Sequence, residues 1–266
     1  MKNMKSLTIV KIGGRIIDSP RLLTTVLNSF TGIKGHKILV HGGGSKANEY
    51  LSRLGITPQM AAGRRITDLD TLEIVQMVYA GLINKNIVVQ LQSCGCPAIG
   101  LSGADGDMIL ATRRHSKEID YGFAGDILKF NTKLITHFLN IGLVPAFCAL
   151  THDGQGQILN TNADTIAAEM ASSLGKMFAV DLIYCFEHAG VLADVNNSTS
   201  VLSNLTESRY YKLKMQQSIS AGMLPKLDTA FNALHAGVSN VYITGTEHLS
   251  HWQSPDNING TKVTIS

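Results

Sequence analysis

The sequence is poor in several kinds of residue, and each shortage excludes a class of protein. Its 266 residues include only 4 cysteines, 6 prolines and 1 tryptophan. Cys94 and Cys96 are separated by one residue, so they lack the two-residue spacer of common zinc and redox motifs, and no disulfide scaffold is indicated. We therefore expect all four cysteines to be buried free thiols in a reducing cytoplasm.

An excess of charge of one sign is also missing. The chain has 23 Lys and Arg against 20 Asp and Glu, a net charge of +3, and the basic residues do not cluster as in a nucleic-acid interface. No apolar run reaches the ~18 residues needed to span a bilayer. Met1 to Asn3 lead directly into an apolar run, so we expect no signal peptide. These features predict a cytoplasmic protein that binds neither nucleic acid nor a membrane.

Apolar runs alternate with helical patterns along the chain. Continuous apolar runs predict buried strands at 7–12, 37–41, 98–101, 143–149, 177–185 and 240–244. Helices are predicted at 67–92, 131–141 and 162–174, and between Pro225 and Gly237, with a hairpin at 108–130. A capping box at 67–70 is expected to open the first of these helices.

This alternation predicts the α/β class: a three-layer αβα sandwich with an open, mainly parallel sheet. The polar loops change character near residue 175. We therefore expect two lobes, an N-terminal one at 1–175 and a C-terminal one at 176–266.

Two strands are followed at once by glycines, in Lys11-Ile12-Gly13-Gly14 and in His41-Gly42-Gly43-Gly44. Bare backbone N–H groups at such turns can approach anionic oxygens closely, and a helix N-terminus adds partial positive charge. Two such turns predict two anionic groups held for phosphoryl transfer. The alternative is that the glycines only permit tight turns.

Three further positions are candidates for chemistry. Arg65, just before the long predicted helix, can grip a carboxylate with two hydrogen bonds, or it is a solvated surface residue. The stretch 160–164 (Asn-Thr-Asn-Ala-Asp) has more polar groups than one helix cap needs. Lys226 lies in a predicted first helical turn, where a cation opposes the helix dipole, and this indicates an anion nearby. The histidines show no metal-ligand spacing, so no protein metal site is predicted.

One alternative function belongs to another class. Residues 42–47 also fit G-x-G-x-x-A, a dinucleotide-binding pattern typical of oxidoreductases. That pattern requires an acidic residue about twenty positions later, where this chain has the basic loop 63–67. It also explains neither Lys11 nor Lys226.

In their order along the chain these pieces resemble the amino acid kinase family, and within it the members that phosphorylate an N-acylated glutamate. The resemblance runs over nearly the whole chain. It rests on the motifs at 11–14, 41–44, 63–67, 101–106 (Leu-Ser-Gly-Ala-Asp-Gly), 121–125 (Tyr-Gly-Phe-Ala-Gly), 160–164 and 222–226 (Gly-Met-Leu-Pro-Lys). It implies an amino-acid-binding and dimerising N-terminal lobe and an ATP-binding C-terminal lobe. The implied reaction phosphorylates the γ-carboxylate of an N-acylated L-glutamate, the second step of arginine biosynthesis.

The resemblance also implies a role for each site residue. Lys11 and Lys226 would flank the transferring phosphoryl group, and Asp164 would hold both ammonium groups. Phosphate oxygens would accept hydrogen bonds from Gly13, Gly14 and Gly43, and Lys11 would contact them too. The acylated glutamate would contact Gly43, Gly44, Arg65 and Asn160, with Arg65 on its α-carboxylate. Mg²⁺ would arrive with ATP, bound by phosphate oxygens and water.

The chain departs from the family pattern in one stretch. After the strand at 177–185 the family usually has Thr or Ser, then Asp, then Val, whereas this chain has Phe186, Glu187 and His188. The stretch lines the nucleotide site in the family, so the contacts to adenine and ribose are not predicted. It is also the one feature that favours a non-catalytic amino-acid sensor with the same fold.

Two expectations concern assembly and the acyl group. The apolar residues around the predicted helix 67–92 are numerous enough to favour a homodimer. The chain starts without the N-terminal extension of the family's arginine-inhibited members, so arginine inhibition is not expected.

Arg64 stands where similar kinases commonly have an apolar residue. If its side chain faces the substrate, a succinyl group would suit the site better than an acetyl group, which leaves N-acetyl- and N-succinyl-L-glutamate both open.

Overall fold

We describe the fold from a computed structural model, which covers residues 4–61, 63–194, 197, 199–220, 222–251 and 260–266. By the density of its internal contacts the chain forms two compact units. The first unit contains residues 1–37 and 167–266, and the second contains residues 38–166. Met1 to Asn3, on which the expectation about a signal peptide depends, lie outside the described residues.

The first unit is built on five neighbouring strands. In their order across the sheet they are β12 (Asn204–Thr206), β14 (Gly260–Thr264), β13 (Asn240–Gly245), β11 (Phe178–Phe186) and β1 (Lys5–Ile12). Its helices are α1 (Gly14–Asp18), α2 (Pro20–Gly32), α8 (Glu207–Met215) and α9 (Leu224–His235), with a 3₁₀ turn at Leu249–His251. Strand β11 pairs in parallel with β1 and β13, while β14 runs antiparallel to β13. Fully buried Leu7, Ile9, Val180 and Leu182 form part of its core.

The second unit contains three neighbouring parallel strands, a four-stranded sheet and a short hairpin. The parallel strands are β2 (His36–His41), β8 (Val144–Cys148) and β5 (Ala98–Leu101), in that order. The sheet has the order β10 (Ile158–Asn160), β9 (Leu150–His152), β6 (Ile109–Arg113) and β7 (Gly125–Phe130), and the hairpin pairs β3 (Gln59–Ala61) with β4 (Arg64–Ile66). Helices are α3 (Gly44–Arg53), α4 (Leu69–Gln76), a π-helix (Met77–Ile83), α5 (Asn84–Ser93) and α6 (Thr132–Asn140). The chain passes to the first unit within α7 (Ala163–Leu174).

The predicted α/β class with a mostly parallel sheet is confirmed, and every predicted strand and helix is present. The hairpin predicted within 108–130 is the antiparallel pair β6 and β7. Two local predictions are wrong. The N-cap of α4 is Asp68 rather than Thr67, because the Asp68 carboxylate accepts a hydrogen bond from the Thr71 N–H at 2.9 Å. Cys94 is exposed because it ends α5 at the surface, whereas the other three cysteines are buried as predicted.

The helical segment Leu69–Ser93 is more apolar than the sequence analysis allowed. Among the described residues it alone is long and apolar enough to cross a membrane, with a mean hydropathy of 1.2. Of its apolar window, 44% is buried within the protein. Its buried Asn84 is hydrogen-bonded to the Ala146 carbonyl oxygen of β8. The segment meets the criterion by its average composition, and it is not a continuous apolar run, since polar residues such as Gln76, Asn84 and Lys85 interrupt it.

The compact units differ from the lobes expected at 1–175 and 176–266. Residues 1–37 group with the C-terminal part because β1 pairs in parallel with β11 along its whole length, from Lys5 opposite Phe178 to Ile12 opposite Cys185. A strand pair distant in sequence cannot be read from a change in loop composition. The assignment of amino-acid binding and ATP binding to separate lobes stays a prediction.

Candidate functional site

In the first unit, Lys11 lies near the end of β1, where the glycine turn begins. Strand β1 ends at Ile12, Gly13 follows in extended backbone, and α1 starts at Gly14. Lys11 is only 5% exposed, although burying an ammonium group is costly unless polar or charged groups compensate. Its Nζ lies 5.7 Å from the centre of the Phe186 ring.

Lys226 reaches the same ring from another element. It is the third residue of α9, so the prediction that it lies in a first helical turn is confirmed. Its side chain is half-buried, and its Nζ lies 5.1 Å from the centre of the Phe186 ring. The structure therefore brings both predicted catalytic lysines to one aromatic side chain.

Phe186 is held firmly at the end of β11. Its backbone pairs with Gly245 of β13, and its carbonyl oxygen accepts a hydrogen bond from the Thr246 N–H at 3.1 Å. Its ring stacks in parallel on that of the fully buried Tyr184, with centres 6.4 Å apart. The next residue, Glu187, forms an ion pair with Arg15 of α1 at 3.0 Å. Sequence reasoning marked this stretch only as unusual and did not identify Phe186 as a functional residue.

A small pocket of about 150 Å³ lies in the first unit just beyond this strand end. Its walls come from the loop after β11 and the segment before α9: His188, Val191, Leu192, Ile219 and Met223 among others. Most of these side chains are apolar, as is typical of pockets that hold flat organic ligands.

In the second unit, the glycine turn after β2 is shaped by the π-helix. A Cβ atom on Gly43 would lie 2.4 Å from Cδ1 of Ile83 and 2.9 Å from the ring of Tyr79. Only glycine fits there, whereas a Cβ on Gly42 would make an ordinary contact of 3.7 Å with Ala163. The sequence analysis did not foresee the π-helix, but Gly81 in the middle of the helical pattern was the one signal available.

Arg65 is the most informative residue of the second unit. It lies in β4 and is 8% exposed, so it is not a solvated surface arginine. Its Nη2 donates a hydrogen bond to the Gly44 carbonyl oxygen at 3.1 Å. Its Nη1 is buried, and no residue within the described ranges accepts a hydrogen bond from it. A buried guanidinium N–H without an acceptor indicates a place for an anionic ligand.

Tyr79 shares this environment with Arg65. Burial raises the pKa of the Tyr79 phenol, and the adjacent Arg65 guanidinium acts in the opposite direction. The Tyr79 phenol therefore stays neutral and lies beside the Arg65 guanidinium. Sequence reasoning missed Tyr79, since nothing in the local pattern distinguishes it from a core aromatic residue.

Thr67 links Arg65 to Asn160. The Thr67 hydroxyl donates to the Arg65 carbonyl oxygen at 3.3 Å and accepts a hydrogen bond from Nδ2 of Asn160 at 3.0 Å. Four residues predicted or implied by the sequence thus lie in one connected group in the second unit: Gly43, Gly44, Arg65 and Asn160.

The capping question at 160–164 is resolved in favour of Asn162. Its side-chain oxygen accepts hydrogen bonds from the Asp164 N–H at 2.8 Å and the Thr165 N–H at 3.0 Å, so Asn162 caps α7. Asp164 is not needed for the cap and lies in the first turn of α7, 9% exposed. A carboxylate in a first helical turn is favoured by the helix dipole, and its expected role toward the lysines stays a prediction.

His41 and Asn84 form a buried polar pair beneath the glycine turn. Because a carbonyl only accepts, Nδ1 of His41 donates to the Gly42 oxygen at 2.8 Å, and Nε2 accepts from Nδ2 of Asn84 at 3.0 Å. Burial lowers the pKa of His41 to about 4; the hydrogen bond to Gly42 opposes this shift and Lys85 adds to it. A neutral His41 therefore fixes the Gly42 carbonyl and the direction of the turn. The sequence analysis placed His41 in its motif without assigning it this role.

No cluster of three or more His, Cys, Asp or Glu side chains suited to a metal ion occurs among the residues that the structure describes.

Comparisons with known proteins agree with these features. The model of the amino acid kinase family matches residues 6–245. A Cytophaga hutchinsonii protein named acetylglutamate kinase is 51% identical over 261 residues, which cover 98% of this chain and 99% of that protein. A Bacteroides fragilis protein of the same name is 48% identical over 243 residues, covering 91% of this chain and 93% of that one.

Solved structures show the same fold. A Streptococcus mutans UA159 protein superposes with a TM-score of 0.79 at 26% identity, covering 98% of this chain and 99% of that chain. N-acetylglutamate synthase from Neisseria gonorrhoeae superposes with a TM-score of 0.85 at 20% identity, over 98% of this chain but 59% of that one. The second match supports the fold alone.

The depressed pKa of His41 predicts an acid-dependent loss of stability. The folded state keeps His41 neutral down to about pH 4, whereas the unfolded chain takes up a proton near pH 6.5. The unfolded state therefore binds more protons between these values, and the free energy of unfolding, complete above pH 6.5, falls as the pH decreases through this window. We expect His41 to account for a loss of about 2 kcal/mol between pH 7 and pH 5.

Urea unfolding at several pH values measures this loss, and His41→Gln should flatten it while His137→Gln controls for removal of a histidine. Histidine NMR titration of the unmodified protein provides a second measurement. An unchanged pH slope in His41→Gln, or a His41 resonance that titrates near pH 6.5, would contradict the assignment.

Proposed function

The chain belongs to the amino acid kinase family, and from this premise we propose that it transfers the γ-phosphoryl group of ATP to the γ-carboxylate of N-acetyl-L-glutamate. In this reaction a carboxylate oxygen forms a bond to the γ-phosphorus while the bond to the ADP oxygen breaks. The products are an acyl phosphate and ADP. The function is supported by the relatives named acetylglutamate kinase, and it corresponds to the second step of arginine biosynthesis in the cytoplasm.

Lys11 and Lys226 are the proposed catalytic cations. Phosphoryl transfer requires alignment and neutralisation of negative charge on the transferring group rather than covalent chemistry by the protein. Two ammonium groups beside one ring, next to the Gly13-Gly14 turn, suit that task. In the same proposal Gly13, Gly14 and Gly43 donate N–H groups to phosphate oxygens, and Asp164 orients the ammonium groups.

The observation that supports the amino-acid substrate most directly is the buried Nη1 of Arg65, which lacks an acceptor among the described residues. A carboxylate would satisfy it with a charge-assisted hydrogen bond. We therefore place the α-carboxylate of the substrate on Arg65, with Gly44 and Asn160 close to the rest of the molecule.

ATP is the co-substrate, and we place its adenine in the 150 Å³ pocket that includes His188 and Met223. This placement lies within the lobe 176–266 that was expected to bind ATP. Mg²⁺ would neutralise part of the phosphate charge when it is bound. The relatives are named as kinases, and this favours the kinase over the oxidoreductase and the sensor.

The position of Arg64 bears on whether the acyl group of the substrate is acetyl or succinyl. Arg64 and Arg65 are neighbours in β4, and successive side chains in a strand point to opposite faces. Because Arg65 faces the glycine turn, the strand geometry directs Arg64 away from it. This arrangement favours N-acetyl-L-glutamate, with N-succinyl-L-glutamate as the alternative.

We also propose a homodimer formed through the helical segment Leu69–Ser93. Most of the apolar residues that suggested a dimer are buried within the subunit, namely Leu72, Val75, Val78, Ile83 and Ile87. Leu69, Met77, Leu82 and Val89 remain exposed, at 55%, 60%, 36% and 64%. An exposed row of large apolar side chains on one helical segment is typical of a contact between subunits.

The function is tested by ADP release from ATP, coupled to a second enzyme, with N-acetyl-L-glutamate, N-succinyl-L-glutamate, glutamate and aspartate as acceptors. We expect activity with the acylated glutamates alone and its loss when EDTA removes Mg²⁺. ADP release with none of these acceptors would refute the function.

Lys11→Ala and Lys226→Ala should each lower kcat by orders of magnitude without unfolding the protein, because each removes a charge that stabilises the transition state. A variant with normal kcat would exclude that lysine from the mechanism.

Arg65→Ala should act on the amino-acid substrate. Loss of a desolvated charge pair costs roughly 2–5 kcal/mol, so KM for the acylated glutamate should rise by about 30-fold or more while KM for ATP stays constant. Arg64→Leu is the matched control on the opposite strand face and should change neither KM nor the ratio of kcat/KM for the acetyl and succinyl substrates. A rise in KM for ATP alone would show that Arg65 acts on ATP rather than on the acylated glutamate. A shift of the ratio in Arg64→Leu would show that Arg64 faces the acyl group.

The dimer is tested by light scattering on the purified protein. We expect twice the subunit mass, and we expect Met77→Glu and Val89→Glu to give monomers because each buries a carboxylate in an apolar contact. Met215→Glu changes a methionine that is 86% exposed on α8 and should leave the mass unchanged. A monomeric mass for the unmodified chain would overturn the dimer.

A further inference from the structure

The ring of Phe186 contacts the ammonium groups of both Lys11 and Lys226. Both distances, 5.7 Å and 5.1 Å, lie within the range of roughly 6 Å in which a ring face attracts a cation. The lysines come from β1 and α9, which are far apart in sequence. Phe186 is therefore a neighbour that the two lysines share.

The ring is itself fixed on several sides. It stacks on Tyr184, whose backbone lies opposite Lys11 in the pairing of β1 with β11. A Cβ on Gly13 would lie 3.7 Å from its Cδ1, so the ring also packs against the glycine turn. Phe186 is 6% exposed, and its rotation is limited by these contacts. Because the ring is packed in this way, its face has a fixed position relative to the two ammonium groups.

An aromatic ring has a chemical advantage at this position. The negative face of a ring attracts an ammonium group yet adds no net charge. The ring can therefore contribute to the stabilisation of the buried lysines without itself cancelling their positive charge.

From this geometry we propose that Phe186 is a positioning residue for phosphoryl transfer, which holds the ammonium groups of Lys11 and Lys226 through its ring face. The inference rests on the proposed function and adds a residue from the stretch 185–188, in which the chain departs from the family pattern. Phe186 does not touch the reacting atoms. Its effect on the reaction passes through the two lysines.

The test weakens the ring electrostatics while it preserves the shape of the side chain. Phe186 is replaced by mono-, di- and trifluorinated phenylalanine, since each fluorine withdraws charge from the ring face. We expect kcat to fall stepwise, by about 3- to 30-fold over the series, with KM for N-acetyl-L-glutamate and the unfolding temperature unchanged. Phe186→Tyr retains the ring, so its kcat should fall by no more than about 3-fold. Phe186→Leu lacks the ring, so its kcat should fall by about 30-fold.

Phe30 provides a matched control. Its ring also contacts a lysine, with Nζ of Lys37 5.5 Å from the ring centre, but neither residue belongs to the proposed site. The same fluorinated series at Phe30 should leave kcat unchanged. A kcat that does not respond to fluorination at Phe186, or that responds equally at Phe30, would overturn the inference.

A measurement without turnover separates this inference from the proposed function. A ring face shifts the NMR resonances of nearby groups upfield, so the ε-methylene signals of Lys11 and Lys226 should lie upfield in the unmodified protein and return downfield in Phe186→Leu. Unshifted signals would overturn the inference even in an active enzyme. Shifted signals in a protein that phosphorylates no acylated glutamate would support the contact and refute the proposed function alone.

Discussion

The parallel pairing of β1 with β11 is the constraint on which the first unit depends. It aligns Lys11 with Tyr184 and Ile12 with Cys185, so both strands end at the same edge of the sheet. The Gly13-Gly14 turn and Phe186 consequently emerge side by side. A shift by one residue would turn Lys11 to the opposite face, because side chains alternate along a strand. The fully buried apolar residues of β1, such as Leu7 and Ile9, resist such a shift and so fix the site as well as the core.

The second unit depends on a different constraint, the burial of one guanidinium group. Arg65 is kept inside by the Gly44 carbonyl oxygen, and Thr67 ties its strand to Asn160. Close approach of the glycine turn to the π-helix is possible only without a side chain at Gly43. Gly43 thus leaves room for Tyr79 and Ile83. The proposed function adds a second reason for glycine, a backbone N–H that a phosphate oxygen can approach closely.

The sequence predicted the elements better than the contacts between them. Continuous apolar runs located strands such as β5 and β11 to within a residue or so, and the helix predicted at 131–141 matches α6 closely, since these signals are local. The π-helix was not predicted from its local pattern. The partners of Phe186 and the grouping of residues 1–37 with the C-terminal part were not predicted either, because they follow from residues that are distant in sequence and that no period or cap brings together. Among the site residues, glycines and charges were identifiable by type, whereas Tyr79 and Phe186 look like ordinary core aromatics until their neighbours are known.

In the proposed function each unit buries a cation that must still attract an anion, and the two units do so by different means. In the second unit the guanidinium is held by a neutral carbonyl oxygen and one N–H remains to be satisfied. In the first unit two ammonium groups face a neutral ring. The Gly44 oxygen and the Phe186 ring carry no net charge, so neither cancels the positive charge of the cation that it contacts. In the proposed function, binding of an anionic ligand then supplies the remaining stabilisation of these buried cations.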